Sequence, residues 1–193
     1  MRIRILLEGA ADEELVRRAM YAADLNVVDE IEPGDDHPYE VVFAAPGDEA
    51  VAHYVEDDFL GYRYVVVASG DEGVAEEVAG ELRGALPHVS RDEVLRRARE
   101  ARDGPAHAAA LYQAAIVAPE VADAELLPLF ERAFASGDPG LREAAILAAG
   151  YAEWKELAAP LRRLAASDPE PELRAQAAAM QEGLERVWSG RAP

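Results

Sequence analysis

Two segments in the second half of the chain are imperfect copies of each other. Residues 128–139 read PLFERAFASGDP and residues 160–169 read PLRRLAASDP, so the copies begin 32 residues apart. Each Asp-Pro leads into an alanine-rich segment that carries an early arginine, Arg142 or Arg174. An aspartate can accept hydrogen bonds from the free amides at a helix start, and proline is well tolerated at the next position. Because a repeat of this length with helical content is typical of stacked helix pairs, we predict a helical repeat here.

The same pattern has a weaker third copy and resembles a known family. The weaker copy begins at residues 103–105 and gives about two and a half units within residues 90–188. Asp-Pro, a following Arg, and spaced Ala and Leu resemble the HEAT repeat family, including its bacterial HEAT-like members, over residues 103–188. The resemblance implies an α-solenoid in which Asp and Arg of neighbouring repeats form a ladder. His107 departs from the family pattern because it occupies the arginine position of the first copy. The residues to which the resemblance gives structural roles are Asp138, Arg142, Asp168 and Arg174.

The two halves of the chain differ in composition and charge. Residues 1–88 are rich in valine and aromatic residues and hold 21 acidic against 6 basic residues, a net charge of −15. Residues 89–193 hold 17 acidic against 13 basic residues, a net charge of −4. We therefore predict an acidic α/β domain at 1–88 and a HEAT-like helical repeat domain at 89–193. Because so short an array must hide its open ends, we expect the first domain to cover one of them.

Residues 1–88 show strand and helix patterns in an order that resembles a ferredoxin-like sandwich. In chain order, the predicted elements are a strand at 2–7, a helix at 15–23, strands at 26–31 and 39–44, a helix at 48–60, a strand at 62–68 and a helix at 74–86. This βαββαβ order with one added helix predicts an α+β fold. A small mixed α/β sheet is the coarser alternative, because residues 65–68 look covered on both faces, whereas the fourth strand of a ferredoxin-like fold lies at an edge.

The chain offers few groups for catalysis. It has no cysteine, no threonine, one lysine and five serines. Ser69 lies in a strand-to-helix turn of the kind that can hold phosphate, but acidic residues follow it and the glycine spacing fits no phosphate fingerprint. His53 and Asp57 lie four residues apart on a predicted helix and could share a metal ion, although a partly buried helix histidine is the commoner case. We predict no catalytic, cofactor-binding or metal-binding residue.

The charge of the chain predicts which partners it attracts. A net charge of −19 repels nucleic acid and anionic membranes and attracts basic proteins. Adaptation to a high-salt cytoplasm is an alternative explanation of the acidity. The residues that we predict to bind a partner are Glu56, Asp57 and Asp58 in the acidic domain and Arg132, Arg162 and Arg163 in the array.

The start of the chain lacks the apolar core of a secretion signal, and no later apolar run approaches the length of a membrane span. These features predict a cytoplasmic protein. The excess of arginine over a single lysine, Lys155, suits a genome of high GC content, and together with the HEAT-like resemblance it indicates a bacterial protein.

These observations favour a non-catalytic protein-binding module. A sharper version is an inhibitor or immunity protein that masks a basic enzyme, such as a nuclease toxin. The alternative is an enzyme or lyase-like chaperone that binds a small ligand between the domains, because the resemblance extends to HEAT-like bacterial proteins that act on bilin chromophores. That alternative needs an apolar pocket, for which the sequence shows no motif.

Overall fold

The computed structural model describes residues 1–35, 37–102 and 104–190 of the 193-residue chain. The chain divides into two units, Met1–Ser90 and Arg91–Pro193. Within the described residues, no helix is both long enough and apolar enough to cross a membrane.

The first unit is a five-stranded sheet with two helices. The strand order is β1-β5-β4-β3-β2, and every neighbouring pair is antiparallel. A turn of 3₁₀ helix at Pro46–Asp48 precedes β4. The elements are β1 (Arg2–Leu6), α1 (Glu13–Ala22), β2 (Asn26–Ile31), β3 (Tyr39–Ala44), β4 (Val51–Asp57), β5 (Tyr62–Ala68) and α2 (Glu72–Ala85).

The core of this unit lies on one face of the sheet. Alternate residues of a strand point to the same face, and on this face Phe43, Tyr54 and Val65 are fully buried. The two helices contribute residues such as Met20 and Leu82 to the same cluster. Full burial stabilises large apolar side chains of this kind by about 1.5–3 kcal/mol each. Both helices therefore pack on this face of the sheet.

The prediction of a helix at residues 48–60 is wrong, because this segment contains β4. Val51, Tyr54 and Val55 have the spacing of a helix face, but β-branched and aromatic residues also favour strands. In the structure, β4 pairs with β3 on one side and with β5 on the other. Pairing on both sides stabilises a strand that local spacing cannot distinguish from a short helix.

The topology of the sheet consequently differs from the ferredoxin-like prediction. The strands from β2 to β5 follow one another without an intervening α-helix, and β1 pairs antiparallel with β5. The sheet is antiparallel across its five described strands, not mixed. The α+β class is confirmed, and β5 lies between β1 and β4 rather than at an edge of the sheet.

The second unit consists of consecutive helix hairpins. Helix α3 packs on α4, α5 on α6, and α7 on α8, while α4, α6 and α8 also pack in succession and α5 contacts α7. A 3₁₀ turn at Lys155–Leu157 precedes α7. The helices are α3 (Arg91–Glu100), α4 (Gly104–Ile116), α5 (Leu127–Phe134), α6 (Pro139–Ala152), α7 (Ala158–Ser167) and α8 (Pro171–Gly190).

Small residues set the spacing between the helices of this unit. Helix α6 lies between α4 and α8, and its alanines at 144, 145, 148 and 149 are buried. A Cβ atom at Gly150 would lie only 3.0 Å from Sδ of Met180 on α8. A larger residue at position 150 would therefore require the Met180 side chain to shift.

Candidate partner-binding site

The three acidic residues predicted to bind a partner lie at the end of β4 in different environments. Asp57 is only 4% exposed, and its Oδ1 accepts a hydrogen bond from the Leu60 amide at 2.9 Å. Glu56 is half-buried and accepts a hydrogen bond of 2.5 Å from the Tyr54 hydroxyl. Burial, and then this contact with Glu56, raises the pKa of Tyr54. Asp58 alone of the three is exposed. Asp57 therefore builds the turn, and Asp58 is the acid available to a partner.

The turn between β4 and β5 is held by several backbone contacts. The Asp57 carbonyl accepts a hydrogen bond from the Gly61 amide at 2.8 Å. Gly61 has a φ of 74°, a conformation that glycine adopts without strain. Leu60 points inward and is 9% exposed, whereas Phe59 points outward and is 73% exposed. The sequence pattern did not indicate this arrangement, because it placed Phe59 on a helix.

Acidic side chains also line two further surfaces of the first unit. On β2, the outermost strand, Asp29 and Glu30 are exposed, and the register shifts between Val27 and Asp29. A bulge and charges on an edge strand discourage pairing with another strand. On α2, the exposed glutamates are Glu72, Glu76, Glu77 and Glu81.

Basic residues of the first unit compensate only part of this charge. Arg17 forms 2.6 Å ion pairs with Glu13 and Glu30, which raise its pKa and connect α1 to β2. Arg18 pairs with Glu14 at 2.7 Å. Because the unit holds 21 acidic and 6 basic residues, most of its exposed acids keep an uncompensated charge.

The three arginines predicted to bind a partner are exposed on the second unit. Arg132 lies on α5, whereas Arg162 and Arg163 lie on α7. Helix α5 contacts α7, so the three residues belong to the same layer of helices. Nε of Arg132 donates a hydrogen bond to the Pro128 carbonyl at 3.3 Å. The structure thus places them on neighbouring helices, in a different unit from the acidic turn.

A small apolar cavity lies beside Arg132. It is lined by residues of α3 to α6, including His107, Leu111 and Leu141, and holds about 40 Å³. Pockets for cofactor-sized ligands measure about 300–1,000 Å³. This cavity has room for water and not for a chromophore.

Arg142 and Asp168 form a buried ion pair between successive hairpins. Nε and Nη2 of Arg142 donate to the two carboxylate oxygens of Asp168 at 2.6 and 2.9 Å. The hydrogen bond from Arg142 is the main cause of the lowered pKa of Asp168, and the same contact raises the pKa of Arg142. The side chains are 9% and 0% exposed. These two residues thus link the hairpins and are not available to a partner.

The pairing is different one hairpin earlier. Asp138 is exposed and caps α6 through a 2.9 Å hydrogen bond from the Gly140 amide. A Cβ atom at Gly104 would lie only 2.8 Å from Oδ2 of Asp138. His107, which stands where the later copies have arginine, is exposed on α4. At this junction, Gly104 on α4 approaches Asp138 closely.

Two tryptophans repeat a contact that the sequence pattern did not indicate. Nε1 of Trp154 donates to the Pro119 carbonyl at 2.7 Å, and Nε1 of Trp188 donates to the Glu153 carbonyl at 2.8 Å. Each tryptophan reaches 35 residues back along the chain. Trp154 is 1% exposed, whereas Trp188 is half-buried.

The remaining candidate residues have structural partners. His53 and Asp57 lie on strand β4, where residues four apart are separated by about 13 Å, too far to share a metal ion. Nδ1 of His53 instead contacts the Glu40 carboxylate on β3. Ser69 donates to the Glu49 carbonyl at 2.7 Å and accepts from the Asp71 amide at 3.0 Å. Among the described residues, no three His, Cys, Asp or Glu side chains form a group that could hold a metal ion.

Comparisons of the chain with protein-family models, with curated proteins and with solved structures give no match. Membership of the HEAT repeat family therefore stays a prediction, which rests on the repeated residues and on the hairpin order of the second unit.

Proposed function

We propose that the chain is a non-catalytic protein-binding module whose first unit attracts a basic partner. The observation that carries this proposal is the excess of exposed acidic residues in Met1–Ser90, which lie on β2, on α2 and in the turn after β4. The unit has a net charge of −15, whereas the second unit has a net charge of −4. A field of one sign accelerates encounter with an oppositely charged protein and repels competitors of the same sign.

The same charge favours one class of partner within this proposal. A basic enzyme that binds nucleic acid presents a positive surface that an acidic protein can cover. An inhibitor or immunity protein of such an enzyme would use its acids in place of phosphates. The second unit would add a second contact with the partner through Arg132, Arg162 and Arg163.

Affinity capture with matched charge variants tests the proposal. The protein is immobilised, exposed to native lysate at low salt and eluted with increasing salt, and the retained proteins are identified by mass spectrometry. One variant carries Glu77→Lys and Glu81→Lys on α2. The control variant carries Glu131→Lys and Glu182→Lys in the second unit, and so has the same net charge. All four glutamates are exposed.

We expect a basic protein that the wild type retains at low salt and releases at higher salt. The α2 variant should retain it at least about tenfold less than the control variant, because local charge steers the encounter. Retained proteins without a basic bias, or equal loss in both variants, would contradict a binding surface on the first unit.

A further inference from the structure

Phe59 is the most exposed aromatic side chain of the described residues, at 73%. The next, Tyr21, is 52% exposed and packs edge-on against Phe43 with ring centroids 6.3 Å apart. Single exposed apolar residues are common on protein surfaces, so exposure alone carries no conclusion. What distinguishes Phe59 is the structure of the turn that holds it and the charge around it.

The turn fixes the position of Phe59. Asp57 binds the Leu60 amide through its side chain and the Gly61 amide through its carbonyl, and Leu60 is buried beneath the turn. The last residue pair of the hairpin, Asp57 and Tyr62, closes the strands on either side. An aromatic side chain on a fixed turn has only two torsion angles to restrict on binding. It can therefore act as an anchor at low entropic cost.

The charges at the turn are mainly acidic. Asp58 is exposed next to Phe59, whereas Glu56 is half-buried and Asp57 is buried in the turn. The side chain of Arg63, on the following strand, forms a hydrogen bond within the first unit, because its Nη1 donates to the Ala11 carbonyl at 3.1 Å. An aromatic ring beside a carboxylate is complementary to an apolar pocket with basic groups at its rim. Interfaces commonly have this arrangement, with an anchor residue at the centre and charged residues around it.

We infer that Phe59 is the anchor of the partner interface and inserts into an apolar pocket of a protein whose pocket rim carries lysine or arginine. Asp58 pairs with that rim. A phenylalanine buries about 150–250 Å² when it is enclosed, so its loss removes the centre of the contact and leaves long-range attraction in place. This inference rests on the proposed function, because it names the residue through which the acidic unit binds its partner.

The experiment uses the full chain and the basic protein retained in the charge-variant capture. Phe59→Ala removes the anchor, and Phe59→Leu keeps an apolar side chain. Val121→Ala is the matched control, because Val121 is a similarly exposed apolar residue, at 79%, in the second unit. Dissociation constants are measured at two salt concentrations, and melting temperatures confirm that all variants fold.

We expect Phe59→Ala to weaken binding at least about tenfold, mainly through faster dissociation, with the salt dependence unchanged. Phe59→Leu should recover part of the loss, and Val121→Ala should bind as the wild type does. A benzoyl-phenylalanine photocrosslinker at position 59 should attach to an apolar segment flanked by Lys or Arg in the partner, whereas the same group at position 121 should not.

The two proposals fail in different ways. If the α2 variant loses the partner but Phe59→Ala binds it normally, the anchor is overturned and the proposed function stands. If no basic partner depends on the α2 charges, the proposed function is overturned, and the anchor with it.

Discussion

The hairpins α5–α6 and α7–α8 show what a sequence repeat preserves. Nη1 of Arg142 donates to the carbonyl six residues earlier, that of Ser136, at 3.0 Å, and Nη1 of Arg174 donates to that of Asp168 at 2.6 Å. Oδ1 of Asp138 and Oδ1 of Asp168 each accept a 2.9 Å hydrogen bond from the amide two residues later. The bond from the arginine to a backbone carbonyl is therefore the same in each copy, whereas Asp138 caps α6 and Asp168 lies three residues before the start of α8.

The bonds between copies are not the same. Arg142 also holds the Asp168 carboxylate in a buried pair, whereas Arg174 is half-exposed and, within the described residues, donates only to backbone carbonyls. Arg142 has a following hairpin that supplies an aspartate, and the described chain ends with the helix of Arg174. The comparison shows that a motif determines the hydrogen bonds close to it in sequence, whereas a neighbouring hairpin determines whether its arginine forms a buried ion pair.

The largest expected effect is the difference in the free energy of unfolding between Arg142→Ala and Arg174→Ala. Removing Arg142 leaves the Asp168 carboxylate buried without its partner, which costs about 3–5 kcal/mol. Removing Arg174 breaks hydrogen bonds of a half-exposed group, worth about 1 kcal/mol. Urea unfolding followed by circular dichroism at neutral pH measures both free energies.

A double-mutant cycle sharpens this comparison. Arg142→Ala combined with Asp168→Ala should cost less than the sum of the single changes, by about 0.5–3 kcal/mol. Strictly additive losses would mean that the pair does not link the hairpins energetically.

A smaller difference is expected between Trp154→Phe and Trp188→Phe. Both remove an indole hydrogen bond, but Trp154 is 1% exposed and packs against Phe130 with ring centroids 5.2 Å apart. The Pro119 carbonyl loses its donor in this buried setting, at a cost of about 1–3 kcal/mol, whereas water can replace the donor beside the half-buried Trp188. Thermal unfolding should give Trp154→Phe a lower melting temperature than Trp188→Phe. A higher melting temperature for Trp154→Phe would contradict the burial argument.

Titration of Asp168 should change the free energy of unfolding least near neutral pH and more in acid. The pKa of Asp168 is lowered chiefly by Arg142. A lowered carboxyl pKa stabilises the folded state above the unfolded pKa, about 4, and this contribution is lost as the pH falls through the folded pKa. The stability of the wild type should therefore fall towards that of Arg142→Ala below about pH 4. Arg174→Ala should follow the wild-type profile, and parallel curves for all three proteins would argue against this assignment.

The second unit was largely predictable because its signals are local. Asp138 starts α6 by accepting a hydrogen bond from the amide two residues later, and alanine spacing indicates helices that approach closely. The predicted helix start at Asp168 was wrong, because Asp168 caps the end of α7 and α8 begins only at Pro171. The first unit was harder, since the residues of β4 fit a helix face as well as a strand. Of the acidic residues predicted to bind a partner, Asp58 is exposed, but the pattern could not show that Asp57 is buried in the turn.

The sequence by itself determined the charge of each half, the repeated segments and the start of α6 at Asp138, because each can be read from composition or from short stretches of residues. The tertiary structure decided that β4 is a strand, that Trp154 binds a carbonyl 35 residues away and that Phe59 is exposed on a fixed turn. These features depend on atoms that are distant along the chain and meet only when it folds, so no local pattern specifies them.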